Sequence, residues 1–208
     1  MSLVPAPGRG QYDRRLPREQ RLAEQRERLL AAVARVCARE AEPAVATVVA
    51  LAGVGRNTFY EYFDDVPHAR REAESAVLRR VDAKLRVAEE QARTPVERFR
   101  GLARAWLEAV LAEPAEFLLV LMPAGAKASR GAELLRAAFE RATSTLHAAG
   151  VGGAVDRVRL LAVAATGEAV ARALAAELLE KGPGASGESP EQEAMLRGLV
   201  DVAVRLLR

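Results

Sequence analysis

At 208 residues the chain has the length for one domain or two small ones with a proper core, and a composition half hydrophobic and 28 % charged excludes a disordered polymer. A formal charge of +3 permits an anionic partner without demanding one. A single cysteine, Cys37, excludes an internal disulfide or a cysteine metal cluster and reads as a small buried thiol in a reducing compartment.

The first residues, MSLVPAPGRG, hold no apolar run long enough for a secretory signal, and residues 1–17 read as a loose arm carrying Arg9, Arg14 and Arg15. A first helix is expected over 18–39, with Leu22, Leu29, Val33 and Val36 in one apolar row. After Pro43 come two short helices, 46–52 and 56–63, separated by Gly53, a natural left-handed stop. Asp65 is placed to cap a longer helix reaching 92, with Pro67 in its first turn. Thr94-Pro95 opens the next, which sets Phe99, Leu102, Trp106 and Val110 on one face. A short apolar segment between Pro114 and Pro123 follows, then helices over 129–149, 154–180 and 190–207. With no strand pattern anywhere, the expectation is an all-α chain of about nine helices. The most apolar stretch, 160–179, is interrupted by Glu168, Arg172 and Glu177 and reads as a buried helix, not a membrane span. A cytoplasmic location is expected.

Three helices packed into 18–63, the last two short and joined by a glycine turn, form a helix-turn-helix pattern. Phe59 and Phe63 are four apart and read as core, with Val48, Val49 and Val54. Tyr60 and Tyr62 lie off that face, where their hydroxyls reach phosphates or simply meet water. Arg56, Asn57 and Thr58 open the second short helix. There backbone N–H groups attract phosphate and these side-chain types pair with guanine, adenine and the thymine methyl.

The segment TVVALAGVGRNTFYEYFDDVPHA, 47–69, resembles the helix-turn-helix of TetR-type transcriptional regulators. The shared elements are the small-residue pair before Gly53-Val54, the Thr58-hydrophobic-Tyr60 step, and Phe63 three residues on. The resemblance covers 18 to about 75. It implies a homodimeric, ligand-responsive repressor of double-stranded DNA with a palindromic operator. The DNA-binding domain would be 18–66 and the helical ligand-binding and dimerisation domain 67–208. By position it implies phosphate contacts at Thr47 and Tyr60, and base or adjacent backbone contacts at Arg56, Asn57, Thr58 and Tyr62. Two residues depart from the family pattern: Gly55 stands where serine is usual, and Val66 where a lysine is common. Over 54–66 one cation, Arg56, faces Glu61, Asp64 and Asp65. The arm arginines Arg14 and Arg15, with Arg18, are therefore expected to compensate, and binding to be weak and strongly salt-dependent unless base contacts are good.

Trp106, Phe117, Met122 and Phe139 are large apolar residues of the middle helices, either filled core or walls of a cavity for a largely apolar effector. His147, near a helix end, and Glu168, four residues from Arg172, are the polar candidates beside them. The Glu168–Arg172 pair also reads as a satisfied ion pair or as part of an interface. Alanines at 162, 165, 169, 173 and 176 permit close helix approach, and Leu196, Leu199, Ala203 and Leu206 make a second stripe. Two such helices from each of two subunits would build a four-helix interface through Ala165, Ala169, Ala173 and the second stripe. The competing reading is that they complete the monomer core.

Enzyme readings find little support. Neither of the two histidines has a metal-ligand spacing. GVGR follows a helix and not a strand, so it is no dinucleotide fingerprint. No cofactor is called for. The alternative to a regulator is a helical small-molecule-binding dimer with weak or lost operator binding.

Overall fold

The computed structural model describes residues 17–40, 42–121, 130–148 and 157–181, with positions 194, 197, 198 and 201. Side chains are described at all of these but 95, 96, 139, 142–148, 157–161, 163 and 164. Among the described residues there are eight helices and no strand: α1 (Arg18–Cys37), α2 (Val45–Ala52), α3 (Arg56–Tyr62), α4 (Val66–Gln91), α5 (Pro95–Ala112), α6 (Pro114–Leu121), α7 (Arg130–Ala148) and α8 (Arg157–Lys181). The helix expected over 190–207 lies largely outside them.

The stops and starts follow local chemistry. Gly53 ends α2 at φ +67°, and the N–H groups of Gly53 and Val54 return to the carbonyls of Ala50 and Val49, a Schellman pair only a residue tolerant of that φ makes cheaply. Asp65 Oδ1 accepts the His68 N–H at 2.6 Å and so caps α4, whose first turn holds Pro67. At α5 the Thr94 hydroxyl accepts the Glu97 N–H while the Glu97 carboxylate accepts the Thr94 N–H, both at 3.2 Å, a reciprocal capping box.

The chain divides into two compact units, Met1–Ser75 and Ala76–Arg208, with the division inside α4. The first has a core of Leu29, Leu30, Val33 and Val36 from α1, Val48 and Val49 from α2, Phe59 and Phe63 beside α3, and Ala69 and Ala73 from α4. Each fully buried ring contributes about 1.5–3 kcal/mol of burial. Leu22, expected in the α1 row, is 37 % exposed: the buried positions of α1 begin two turns later, at Leu29.

In the second unit α5 buries Phe99, Leu102, Trp106 and Val110 along one face, as the i, i+3, i+4 spacing requires, and packs on α6, α7 and α8. Gly131 is needed where α7 starts: a Cβ there would stand 3.0 Å from the Val120 carbonyl and from a Leu121 methyl. Ion pairs clamp the helix sides, Arg80 to Glu116 and, at 3.0 Å, Arg141 to Glu89.

Candidate nucleic-acid interface

Helix α3 is held by two buried rings, Phe59 within it and Phe63 just after it. Phe59 and Phe63 are 5.5 Å apart between centroids, and Tyr60 meets Phe59 edge-on at 5.4 Å. With Phe59 turned inward, the helical period turns Arg56, Asn57, Tyr60 and Glu61 out; all four are exposed, Tyr60 by 57 %. Thr58 is half-buried and Thr47, on α2, is exposed. Gly55 precedes α3 with extended backbone and no side-chain cap, and a Cβ there would meet nothing within 4 Å. A serine would fit; the sequence simply lacks one.

Tyr62 is in a different situation from Tyr60. It is half-buried, and its hydroxyl donates to the Leu22 carbonyl on α1 at 3.1 Å. That bond fixes the tilt of α3 against α1. A second tie is Arg26, which pairs with Glu72 of α4 at 2.6 Å while its guanidinium lies 6.0 Å from the centre of the Phe63 ring. Both ties escaped the sequence reading, since nothing local marks partners 40 and 46 residues apart.

The carboxylates around α3 separate into different jobs. Asp65 is the α4 cap. Asp64 stands 3.1 Å from His68 Nδ1, which also accepts the Asp64 N–H at 3.2 Å. Glu61 is exposed on α3 beside the outward face. Val66, which stands where the resemblance makes a lysine common, is buried at 8 % exposure. Arg18 is exposed in the first turn of α1, while Arg14 and Arg15 lie outside the described residues. The Cys37 thiol, also in this unit, is pushed above its ordinary value by burial, with Arg70 acting in the opposite direction.

In the second unit the structure brings together two of the expected cavity residues. Trp106 and Phe117 are almost fully buried and pack edge-to-face with centroids 4.8 Å apart. Glu168 is taken up by Arg172, its i+4 neighbour. Met122 lies outside the described residues, as do the side chains of Phe139 and His147. An open groove of about 650 Å³ runs between α4 and α5, lined among others by Lys84, Val87, Ala88, Gly101 and Arg104; it contains none of the expected residues. Gly101 lies on its wall, and a Cβ there would sit 3.4 Å from the Ala88 carbonyl, an ordinary contact distance.

On α8, Ala171, Ala175 and Leu178 point into the core, whereas Ala165, Ala169, Ala173 and Ala176 are exposed. Leu196, Leu199, Ala203 and Leu206 lie outside the described residues. No helix among the described residues is long and apolar enough to cross a membrane.

No protein-family model matches the chain, and no curated protein matches it in sequence. Solved structures do match in fold. The fatty acid degradation regulator FadR from Bacillus halodurans superposes with a TM-score of 0.66 at 14 % identity, covering 88 % of this chain and 94 % of that one. A TetR-like transcriptional regulator from Rhodococcus sp. RHA1 gives 0.66 at 20 % identity over 92 % and 97 % of the two chains. A TetR family transcription regulator from Marinobacter aquaeolei VT8 gives 0.64 at 17 % identity over 91 % and 98 %. The chain has the fold of the TetR-type transcriptional regulators.

Proposed function

We propose that this chain is a homodimeric, DNA-binding transcriptional regulator of the TetR type, acting in the cytoplasm as a ligand-responsive repressor. The observation that carries the reading is the α2–Gly53–α3 arrangement, in which buried Phe59 and Phe63 turn Arg56, Asn57 and Tyr60 outward from a TetR-type fold. In this reading 18–66 is the DNA-binding domain, 67–208 binds the effector and dimerises, and 1–17 is a basic arm. Thr47 and Tyr60 contact phosphate, Arg56, Asn57 and Thr58 reach base edges, and Arg14, Arg15 and Arg18 supply the cationic charge that α3 lacks. Tyr62 acts by holding α3 at its angle to α1.

Dimerisation through α8 is supported by its outer face. Ala165, Ala169, Ala173 and Ala176 leave an apolar exposed strip opposite the buried one, which a second copy would cover. The effector is a small, largely apolar molecule, in keeping with the apolar interior around Trp106 and Phe117 and with a structural neighbour that regulates fatty acid degradation. Its binding favours a dimer whose two reading helices no longer match the half-site spacing of a palindromic operator.

The test is selection of duplexes from a random library by the full-length protein. A palindromic sequence should be enriched, and an Asn57→Ala, Tyr60→Phe variant should lose the enrichment. A library that returns no common sequence would contradict the operator-binding part. It would favour the second reading, a small-molecule-binding dimer with a retired head, which the exposed Glu61 and buried Val66 support.

A further inference from the structure

The open groove between α4 and α5 lies on the outside of the second unit, apart from its core. On α5 its wall is Glu97, Gly101, Arg104 and Glu108, spaced by four, three and four residues. The helical period sets that row on the side of α5 opposite buried Phe99, Trp106 and Val110. The floor is apolar, with Ala83, Val87, Ala88 and Ala92 from α4 and Gly101 and Ala105 from α5. Val87 is 49 % exposed, a large apolar side chain left uncovered in that floor. The volume of about 650 Å³ is that of a small-molecule site. Its lining is too short to seat a protein partner, which covers about 20–30 residues a side.

The charges along the groove are unevenly committed. Gly101 faces Ala88, and Lys84 and Arg104 both lie beyond that contact from the connection at 92–94. Both are exposed, and neither has a hydrogen-bond or ion-pair partner among the described residues. Glu97 lies on the connection side, where its carboxylate accepts the Arg93 and Thr94 N–H groups at 2.9 and 3.2 Å. The lining carboxylate nearest the cations in sequence is Glu108, one turn past Arg104, and it too has no partner among the described residues. Two cations on one rim repel each other, and an anion between them turns that repulsion into two attractions.

We propose that this groove binds an amphipathic small anion. Its apolar body lies on Val87, Ala88 and Ala105, and its carboxylate, sulfate or phosphate head sits between Lys84 and Arg104. The Arg104 guanidinium offers a fork that takes two oxygens of such a head, and the Lys84 ammonium adds a compact charge. Glu108 opposes the head and keeps the affinity modest. The site involves neither α3 nor the core, so it stands whether or not the chain reads DNA.

Octyl sulfate, 1-octanol and octyltrimethylammonium share a chain and carry a negative, a neutral and a positive head. Each is titrated, below micelle formation, into full-length protein labelled with ¹⁵N-glycine. Gly101 reports on the groove, and Gly131, packed against Val120 and Leu121, reports on the interior. Octyl sulfate should move the Gly101 resonance saturably and bind about tenfold more tightly than octanol, while the cation should leave it in place. Replacing both cations, Lys84→Gln with Arg104→Gln, should erase that preference, and Glu108→Gln should tighten octyl sulfate about twofold. All three side chains are exposed, so the variants keep the fold. A Gly101 resonance indifferent to octyl sulfate would overturn the proposal, as would equal affinities for the three heads. Movement of Gly131 alone would put the amphiphile in the interior and overturn it too. Octyl sulfate binding unchanged in the double variant would take the head away from Lys84 and Arg104 and overturn the assignment.

Discussion

The two units of the chain solve the same packing problem with different materials. In the first, a few bulky rings and long-range polar ties fix one arrangement: Phe59 and Phe63 fill the centre, Tyr62 reaches the Leu22 carbonyl, Arg26 pairs with Glu72, and Asp65 caps α4. In the second, α8 places Ala171, Ala175 and Leu178 on its buried face and alanine again on its exposed face, and the Trp106 indole N–H has no partner among the described residues. Large, shape-specific side chains determine which surface faces in and which is left to do work. Alanine on both faces of α8 does not discriminate, so that helix suits either the core or contact with another copy.

The sharpest way to break the first unit is Phe59→Ala. The ring is wholly buried, so its removal should cost about 3–5 kcal/mol, read from the denaturant midpoint, and should abolish DNA binding with it. A midpoint within 1 kcal/mol of wild type would show that the ring does not organise the head.

The corresponding probe of the second unit is Ala169→Asp on the exposed face of α8. In a monomer this change is nearly neutral. In a dimer sealed through that face it buries an unpaired carboxylate, weakening association about a hundredfold or more, as sedimentation velocity would measure. An unchanged sedimentation coefficient at all concentrations would remove α8 from the interface.

Smaller effects distinguish the two tyrosines. Tyr62→Phe removes the bond to Leu22 and should lower stability by about 0.5–1.5 kcal/mol while leaving the salt dependence of DNA binding unchanged. Tyr60→Phe should leave stability alone and weaken DNA binding several-fold. Equal behaviour of the two variants in both assays would erase the distinction between a positioning and a contacting hydroxyl.

The smallest effect concerns pH. Burial raises the Cys37 thiol, so the folded head holds its proton longer than the unfolded chain. The stability this represents is intact below the unfolded thiol value and lost as pH rises through the folded one, that is, from about pH 9 upward. Cys37→Ala should therefore give a shallower alkaline fall in melting temperature than wild type.

Much of the fold was legible in the sequence because its punctuation is chemical. Gly53, Asp65, Thr94-Pro95 and Pro114 each mark a helix boundary for a reason that does not depend on the rest of the chain. The inward and outward sides of α3 were legible too, since Phe59 and Phe63 are the bulky apolar residues of a short helix. The hydrogen bond of Tyr62 was not, because its acceptor is a backbone carbonyl on α1 and carries no sequence signal. Leu22 was misassigned for a related reason: periodicity says which face of α1 is apolar but not how far along it the neighbouring helices extend. For α8, alternating exposure among identical alanines has no sequence counterpart at all.

The claim on which the account turns is that the α3 face reads DNA despite its acidic neighbours, and a salt series of fluorescence anisotropy tests it most directly. The full-length protein is titrated with the selected operator and with an unrelated duplex, alongside Glu61→Lys. The account predicts an operator preference of about a thousandfold or more, affinity that falls linearly on logarithmic axes with added salt, and a line steeper by about one in the Glu61→Lys variant. Equal affinity for the two duplexes, indifferent to salt and to the charge at position 61, would contradict it.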